Sequence, residues 1–362
     1  MTTSATLIRP ATRDDLPAVA SLRRRVFRHS EQPTEDALVR YLQLVFFDNP
    51  WASEDLPSLA VESARGDVVG FMGRIVRPYL HGQRLLRGAV ATEVMIQPEL
   101  RGRGIGSHLM RTYLDGGQDF TVADRANDGY RRLCEACGGE VAARYSWYWT
   151  VPVRPSLFAV AQLGWRGAVR LTAPLTAAFD AVATRIPPGR FRRRQPAGAC
   201  EQLDPQTIPG LLPGFVGADS IYPFYDPDAL RWLLQRLSDG MAHASRTVDL
   251  CAVRAEPDGI VGWFIAAKRQ DGAFETVQMA ARPEYRDLVF AHLLHRAWLC
   301  GATAVEGRSD PFFEAVLVRQ RLACVLAQPW VVVHAHDARV ARAFRSGTLF
   351  LSRLEAEWWL AT

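Results

Sequence analysis

Between positions 6 and 153 the apolar residues alternate between the two-residue period of a strand and the 3.6-residue period of a helix. Thr6–Pro10 reads as a short strand. Behind Thr12, an N-cap type followed by Asp14 and Asp15, the residues Leu16, Val19, Leu22, Val26 and Phe27 recur at helical spacing. A second helix over about 35–47 presents Leu38, Tyr41, Leu42, Val45 and Phe46, and Asn49-Pro50 closes it. Leu59–Val61 and Val68–Val76 read as strands joined at Arg65-Gly66-Asp67, and Leu86–Ile96 as a third. A helix runs from Ile105 and Phe120–Ala123 is a strand. Asn127–Cys137 is a helix stopped by Gly138-Gly139. Residues 143–153 form a last strand rich in aromatics (Tyr145, Trp147, Tyr148, Trp149).

The junction between the third strand and the following helix is the most specific stretch. After Val94, Met95 and Ile96 come Arg101, Gly102, Arg103, Gly104, Ile105, Gly106 and Ser107. Glycines reach positive φ without steric cost and let successive N–H groups converge. The helix starting there aims unpaired N–H groups and its positive dipole end into the same turn. A phosphate or pyrophosphate is the expected guest. The stretch lacks the Gly-Lys-Ser/Thr ending of a P-loop, and its alternate glycines do not match Gly-x-Gly-x-x-Gly.

Arg101-x-x-Gly104-x-Gly106 resembles motif A of the GNAT superfamily of N-acyltransferases, and the order β-α-α-β-β-β-α-β-α-β over about 5–153 is similar to that family's order. The resemblance implies an α/β fold, a mixed sheet flanked by helices, with acetyl-CoA or another acyl-CoA as co-substrate. By that resemblance residues 101–107 hold the pyrophosphate, Val94–Ile96 pair with the pantetheine arm, and Asn127 assists there, unless it is a plain N-cap. A base must take a proton from the acceptor ammonium. Glu93 is the first candidate, because a carboxylate in an apolar strand is costly unless paired or functional; its alternative role is partner to an arginine such as Arg74. Asp124 is the second candidate, and a water chain could replace both. The family's acid is a tyrosine four residues before the glycine that ends the helix. Here that position is Cys134, with Tyr130 one turn earlier, so either residue, or neither, protonates the thiolate.

The second half repeats the first. Asp36-Ala37-Leu38 recurs as Asp228-Ala229-Leu230, and Val68-Val69-Gly70-Phe71 as Ile260-Val261-Gly262-Trp263, with 32 residues from leucine to glycine in each copy. Pro98-Glu99-Leu100-Arg101 recurs as Pro283-Glu284-Tyr285-Arg286, but Asp287-Leu-Val-Phe290 follows without glycine. A tandem fold is expected, its second copy degenerate and not binding coenzyme A through this loop. The division expected is a catalytic domain over 1–153, a helical and basic linker over 154–197, and a degenerate domain over 198–362. The linker carries apolar residues with interspersed arginines, interrupted at Gly164 and Pro174, and fits packing between domains better than peripheral membrane contact. Ile221–Tyr225 and Glu355–Trp359 are possible acceptor contacts, with core packing the commoner role for such residues.

Composition narrows the rest. A chain of 362 residues with 48% apolar and 22% charged residues is long enough for two globular domains. A net charge of +5 does not argue for nucleic acid, and Lys268 is its one lysine. Of six cysteines only Cys134-x-x-Cys137 is paired in sequence, with no second pair at zinc spacing. Neither that pair nor His292-x-x-His295 or His334-x-His336 reads as a metal site. No apolar run approaches a membrane span and no signal peptide is legible, so a cytoplasmic protein is expected. The function expected is acetyl transfer to a primary amine of a small molecule, of amino-sugar or amino-acid/peptide type. The alternatives are a non-catalytic acyl-CoA-binding regulator and a scaffold that binds no nucleotide.

Overall fold

The computed structural model describes residues 6–27, 33–162, 195–243, 247–269, 271–320, 322, 324–326 and 328–357. The expected linker break at Gly164 and Pro174 and most of the basic run lie outside them, as do Trp358 and Trp359. At the start of the expected linker a helix α5 (Pro155–Gln162) is present.

The first half builds β1 (Leu7–Pro10), α1 (Leu16–Val26), α2 (Glu35–Phe46), β2 (Leu59–Glu62), β3 (Val68–His81), β4 (Arg84–Ile96), α3 (Ile105–Leu114), β5 (Phe120–Ala126), α4 (Asp128–Glu135), β6 (Glu140–Val141) and β7 (Trp147–Pro152). Thr34 caps α2, accepting the Ala37 N–H. Gly70 of β3 sits where an added Cβ would lie 2.9 Å from Val61 and 2.7 Å from Ile96, so glycine lets β2, β3 and β4 pack at this point. The second half repeats the plan with β8 (Ala199–Gln202), α6 (Ile208–Val216), β9 (Ile221–Pro223), α7 (Pro227–His243), β10 (Thr247–Ala255), β11 (Gly259–Lys268), β12 (Phe274–Ala281), α8 (Arg286–Leu299), β13 (Ala304–Arg308), α9 (Glu314–Arg319), β14 (Cys324–Leu326), β15 (Trp330–Ala335) and α10 (Ala338–Ser346). Gly262 of β11, the counterpart of Gly70, is crowded in the same way, with an added Cβ 2.5 Å from Val289.

The pairing corrects one sequence expectation. Residues 143–153 do not close the first sheet: β7 lies between β13 and β14 of the second sheet, registering Trp149 with Gly307 and with Cys324. Reciprocally, β15 of the second half lies between β5 and β6 of the first, with Val332 opposite Ala123 and Val141. The sheets run β1-β2-β3-β4-β5-β15-β6 and β8-β10-β11-β12-β13-β7-β14, the same order with the last strands exchanged. Period-two alternation specifies a half-buried strand and says nothing about its neighbour.

The exchange fuses the cores. One cluster combines Val90, Phe120 and Tyr145 with Trp263, Val331, Phe344 and Leu349. Phe344 of α10 meets Phe120 and Tyr145 edge-on, and the Tyr145 hydroxyl donates to the Leu349 carbonyl at 2.6 Å. Beyond α10, residues 349–357 cross from one sheet to the other. The Arg353 N–H bonds the Val277 carbonyl of β12 at 2.9 Å, and Gln278 of the same strand donates to Ser352 and Glu355. The Glu357 N–H then reaches Asp124 of β5 at 2.9 Å.

Candidate active site

In each half the parallel contact between the two central strands is short. β4 and β5 pair only at Gly88–Phe120, Ala89–Thr121 and Val90–Val122, then diverge. Between the diverging ends lies a cleft of about 230 Å³ lined by Ala91–Val94, Ala123, Arg125–Asn127, Arg23, Phe27, Tyr130 and Glu357. On this side the backbone of Val94, Met95 and Ile96 has no β5 partner, while its other edge pairs with β3. An extended ligand arm can add along that edge. Because β4 and β5 are parallel, α3 and α4 both begin at the same end of the sheet, the usual ligand position in such sheets.

The loop into α3 has the geometry its glycines require. Gly102 and Gly104 have φ of 76° and 80°, and an added Cβ at either would meet nothing within 4 Å. The positive φ, rather than crowding, is therefore what demands glycine, and the space before the helix is open. Arg101 Nε donates to the Ile96 carbonyl at 3.3 Å, tying the loop to the strand end. Gly106 is inside the first turn of α3, and an added Cβ there would make an ordinary contact with Leu133 of α4 at 3.7 Å, so packing does not demand glycine at this position. These features fit a pyrophosphate. In the second half α8 instead starts at Arg286 in right-handed conformation, with no left-handed residue, and Asp287 pairs with Arg319 at 2.5 Å. The second divergence, beyond Phe274–Val305 and Glu275–Glu306, receives residues 351–355 of the chain itself.

Glu93 sits at a bulge, since β3 advances from Phe71 to Gly73 while β4 advances from Met95 to Thr92. Among the described residues it is the one non-glycine with positive φ, 51°, a conformation that costs roughly 1–3 kcal/mol. Its Oε2 accepts from Arg23 Nε of α1 at 2.8 Å, in a buried ion pair. Its arginine partner is thus Arg23 rather than Arg74, whose guanidinium stacks on Tyr113 and donates to the Tyr113 carbonyl. Asp124 accepts from Arg308 Nη1 of β13 at 2.9 Å, with both side chains at most 3% exposed. Asn127 is the N-cap of α4, its Oδ1 accepting the Tyr130 N–H at 2.9 Å.

Tyr130 and Cys134 are one turn apart but differently placed. Tyr130 lines the cleft, and burial, with Cys134 next in effect, pushes its phenol well above the usual range, so it is protonated and able to donate. Cys134 is buried behind it among Leu109, Met110 and Val332, outside the lining; burial and the neighbouring Cys137 push its thiol up to about 12. Glu357 is a cleft residue that sequence reasoning reached only as part of a possible acceptor contact, without a role of its own. Its Oε1 accepts the Arg125 N–H at 3.2 Å, and the Thr92 hydroxyl also bonds it. Burial, then the Asp124 charge, pushes its carboxyl up to about 8. Glu355–Trp359 as a whole is a possible acceptor contact by sequence, but nothing local marks residue 357 or signals that it crosses to the other sheet. Ile221–Tyr225 lies away from the cleft, with β9 pairing β3 and the Tyr225 hydroxyl bonding Glu355.

Among the described residues no group of three or more His, Cys, Asp or Glu is placed to hold a metal, and no helix is long and apolar enough to cross a membrane.

A glycine nest at a helix N-terminus beside a divergent parallel strand pair gives this mixed α/β fold a cradle for an anion. Residues 7–119 match the family model described as an acetyltransferase (GNAT) domain. Solved structures share the fold across both halves. A GCN5-related N-acetyltransferase from Kribbella flavida is 16% identical with a TM-score of 0.58, covering 95% of this chain and 74% of its own. One from Anabaena variabilis is 12% identical, TM-score 0.56, covering 92% and 73%. Eis1 from Mycobacterium abscessus is 15% identical, TM-score 0.54, covering 94% and 76%. No curated protein matches the sequence.

Proposed function

We propose that the chain is an acyl-CoA-dependent N-acyltransferase, carrying acetyl from acetyl-CoA to a primary amine of a small molecule. The observation that carries this reading is the cleft at the β4–β5 divergence, lined by a pair of carboxylates and a protonated phenol, at the same end of the sheet as the open glycine nest that begins α3. Residues 101–107 hold the pyrophosphate and the free edge of Val94–Ile96 takes the pantetheine arm. The thioester then lies near the bulge at Glu93. Amine and thioester meet in one cleft, so the gain comes from orientation and from exclusion of water. Tyr130 is the group in reach to protonate the leaving thiolate, and Cys134 serves packing. Asp124 acts as a positioning residue, because its carboxylate is committed to Arg308. The acceptor is an amino sugar or an amino-acid-like amine, drawn in as a cation by Glu93 and Glu357.

The test is thiol release from acetyl-CoA over a panel of amino sugars, amino-acid amides, polyamines and aminoglycosides, beside calorimetric titration of coenzyme A. Binding with turnover supports the reading. Binding without turnover on any amine favours a non-catalytic acyl-CoA-binding protein, which the burial of Cys134 at the family's tyrosine position would then explain. Absence of binding removes the site altogether.

A further inference from the structure

We infer that the second half of the chain supplies the catalytic base of the first half's site: Glu357, delivered by the segment that crosses between the sheets, takes the proton from the acceptor ammonium. This rests on the acyltransferase reading above. The geometry is a chain of contacts that ends in the cleft. Arg308 of β13 holds Leu351 by its carbonyl at 3.3 Å and Asp124 by its carboxylate at 2.9 Å. Asp124 in turn accepts the Glu357 N–H at 2.9 Å, and the Arg125 N–H fixes the Glu357 carboxylate at 3.2 Å. The segment is anchored along its length, by Arg353 on Val277 and by Glu355 on Gln278 and Tyr225. A side chain placed on the cleft wall by this many backbone bonds is positioned rather than incidental.

The other carboxylates are committed. Protonating Glu93 would leave the Arg23 guanidinium buried beside it without its counter-charge, and protonating Asp124 would do the same to Arg308. Among the described residues Glu357 makes no salt bridge; a backbone N–H and the Thr92 hydroxyl hold it, and the Arg125 charge acts on it less than burial and Asp124 do. The charged groups facing it are Asp124 and Arg125 of β5, Glu93 of β4 and Arg23 of α1; the phenols are Tyr41 of α2, Tyr113 of α3 and Tyr130 of α4. Burial and the nearby acidic charges raise its proton affinity to near the working pH, where a general base acts best. In the step, an N–H bond of the ammonium breaks and its proton passes to the Glu357 carboxylate. The freed nitrogen lone pair forms the C–N bond at the thioester carbonyl. The C–S bond then breaks, the coenzyme A thiolate takes a proton from Tyr130 or solvent, and the second N–H proton of the acylated nitrogen is lost to that same donor, which leaves a neutral amide, a free thiol and the donor restored.

The test compares wild type, Glu357→Gln, Glu357→Asp and Glu93→Gln with acetyl-CoA and the best amine of the panel, from pH 6 to pH 10. Glu357→Gln should bind coenzyme A as wild type does and lose about 10²–10⁴-fold in kcat at pH 7. That defect should shrink as pH rises toward the amine's own pKa, where the acceptor is already neutral. Glu357→Asp should fall between, and Glu93→Gln should show a defect without pH rescue. Wild-type turnover that Glu357→Gln leaves within threefold overturns the inference alone, as does a Glu357→Gln defect constant at all pH, which would make the residue a positioning one. A wild-type chain that binds acetyl-CoA and acylates no amine overturns the acyltransferase reading, and the inference with it.

Discussion

Gly104→Asp tests the nest directly. Gly104 has a φ of 80° and caps α3, with open space where a Cβ would go. Any L-residue there carries left-handed strain of about 1–2 kcal/mol, a cost borne equally by Gly104→Ala. The aspartate adds a negative charge at the mouth of the loop. At about 5 Å from a phosphate and an effective dielectric near 20, repulsion is about 3 kcal/mol per unit charge, which is roughly a 100- to 300-fold loss of coenzyme A affinity. Calorimetric titration of both variants separates the terms. Both should melt a few degrees below wild type, but only Gly104→Asp should lose more than a hundredfold in affinity. Equal affinities for the two variants, or wild-type affinity for Gly104→Asp, would place the pyrophosphate elsewhere.

Removing the cation of the buried pair that joins the halves, in Arg308→Ala, leaves Asp124 uncompensated and should cost about 3–5 kcal/mol in urea unfolding; Asp124→Asn in the same chain should recover most of it. Gly307→Ala would push a methyl to 2.5 Å from the Trp149 ring across the exchanged strand, costing about 1–3 kcal/mol by overpacking. Stability should also depend on pH through Glu357 and Asp310, whose folded pKa values lie near 8 and 7 against ordinary values of 4.5 and 3.8. The folded state binds more protons between those limits, so this contribution is whole below about pH 4 and is lost as pH rises to 8. Each group can contribute at most about 1.4 kcal/mol per pH unit. Urea midpoints at pH 5, 6.5 and 8 should fall, and Glu357→Gln should flatten the fall; an identical slope in the variant counts against the raised carboxyl.

What could be read from sequence was local. The alternation over Val68–Val76 and Leu86–Ile96, the cap at Asn127 and the glycines at 102 and 104 each act through their own backbone, and each appears where its residue type requires. The absence of glycine after Arg286 was equally legible, because right-handed helix start is the default for Asp287 and Leu288. Partnership between distant segments was not. Trp147–Pro152 has the pattern of a strand in either sheet, and its neighbours are chosen by Gly307 admitting Trp149 and by the order of packing. Glu357 shows no motif, since its meaning comes from Arg308 and Asp124, 49 and 233 residues away. Tyr130 and Cys134 were legible as alternatives, one turn apart, and tertiary packing alone distinguishes their surroundings.

The exchanged strands also set a timetable. During synthesis β5 is finished by residue 126, yet its neighbour β15 is not finished until residue 335. At about 5–20 residues per second this is roughly 10–40 s in which the first sheet has an unfilled gap beside β5. Val122 and Ala123 are then uncovered where Val331–Val333 will lie. Glu357 arrives later still. The nascent first half therefore waits, incomplete and prone to wrong pairing, and its cleft gains its last wall only when residue 357 has emerged.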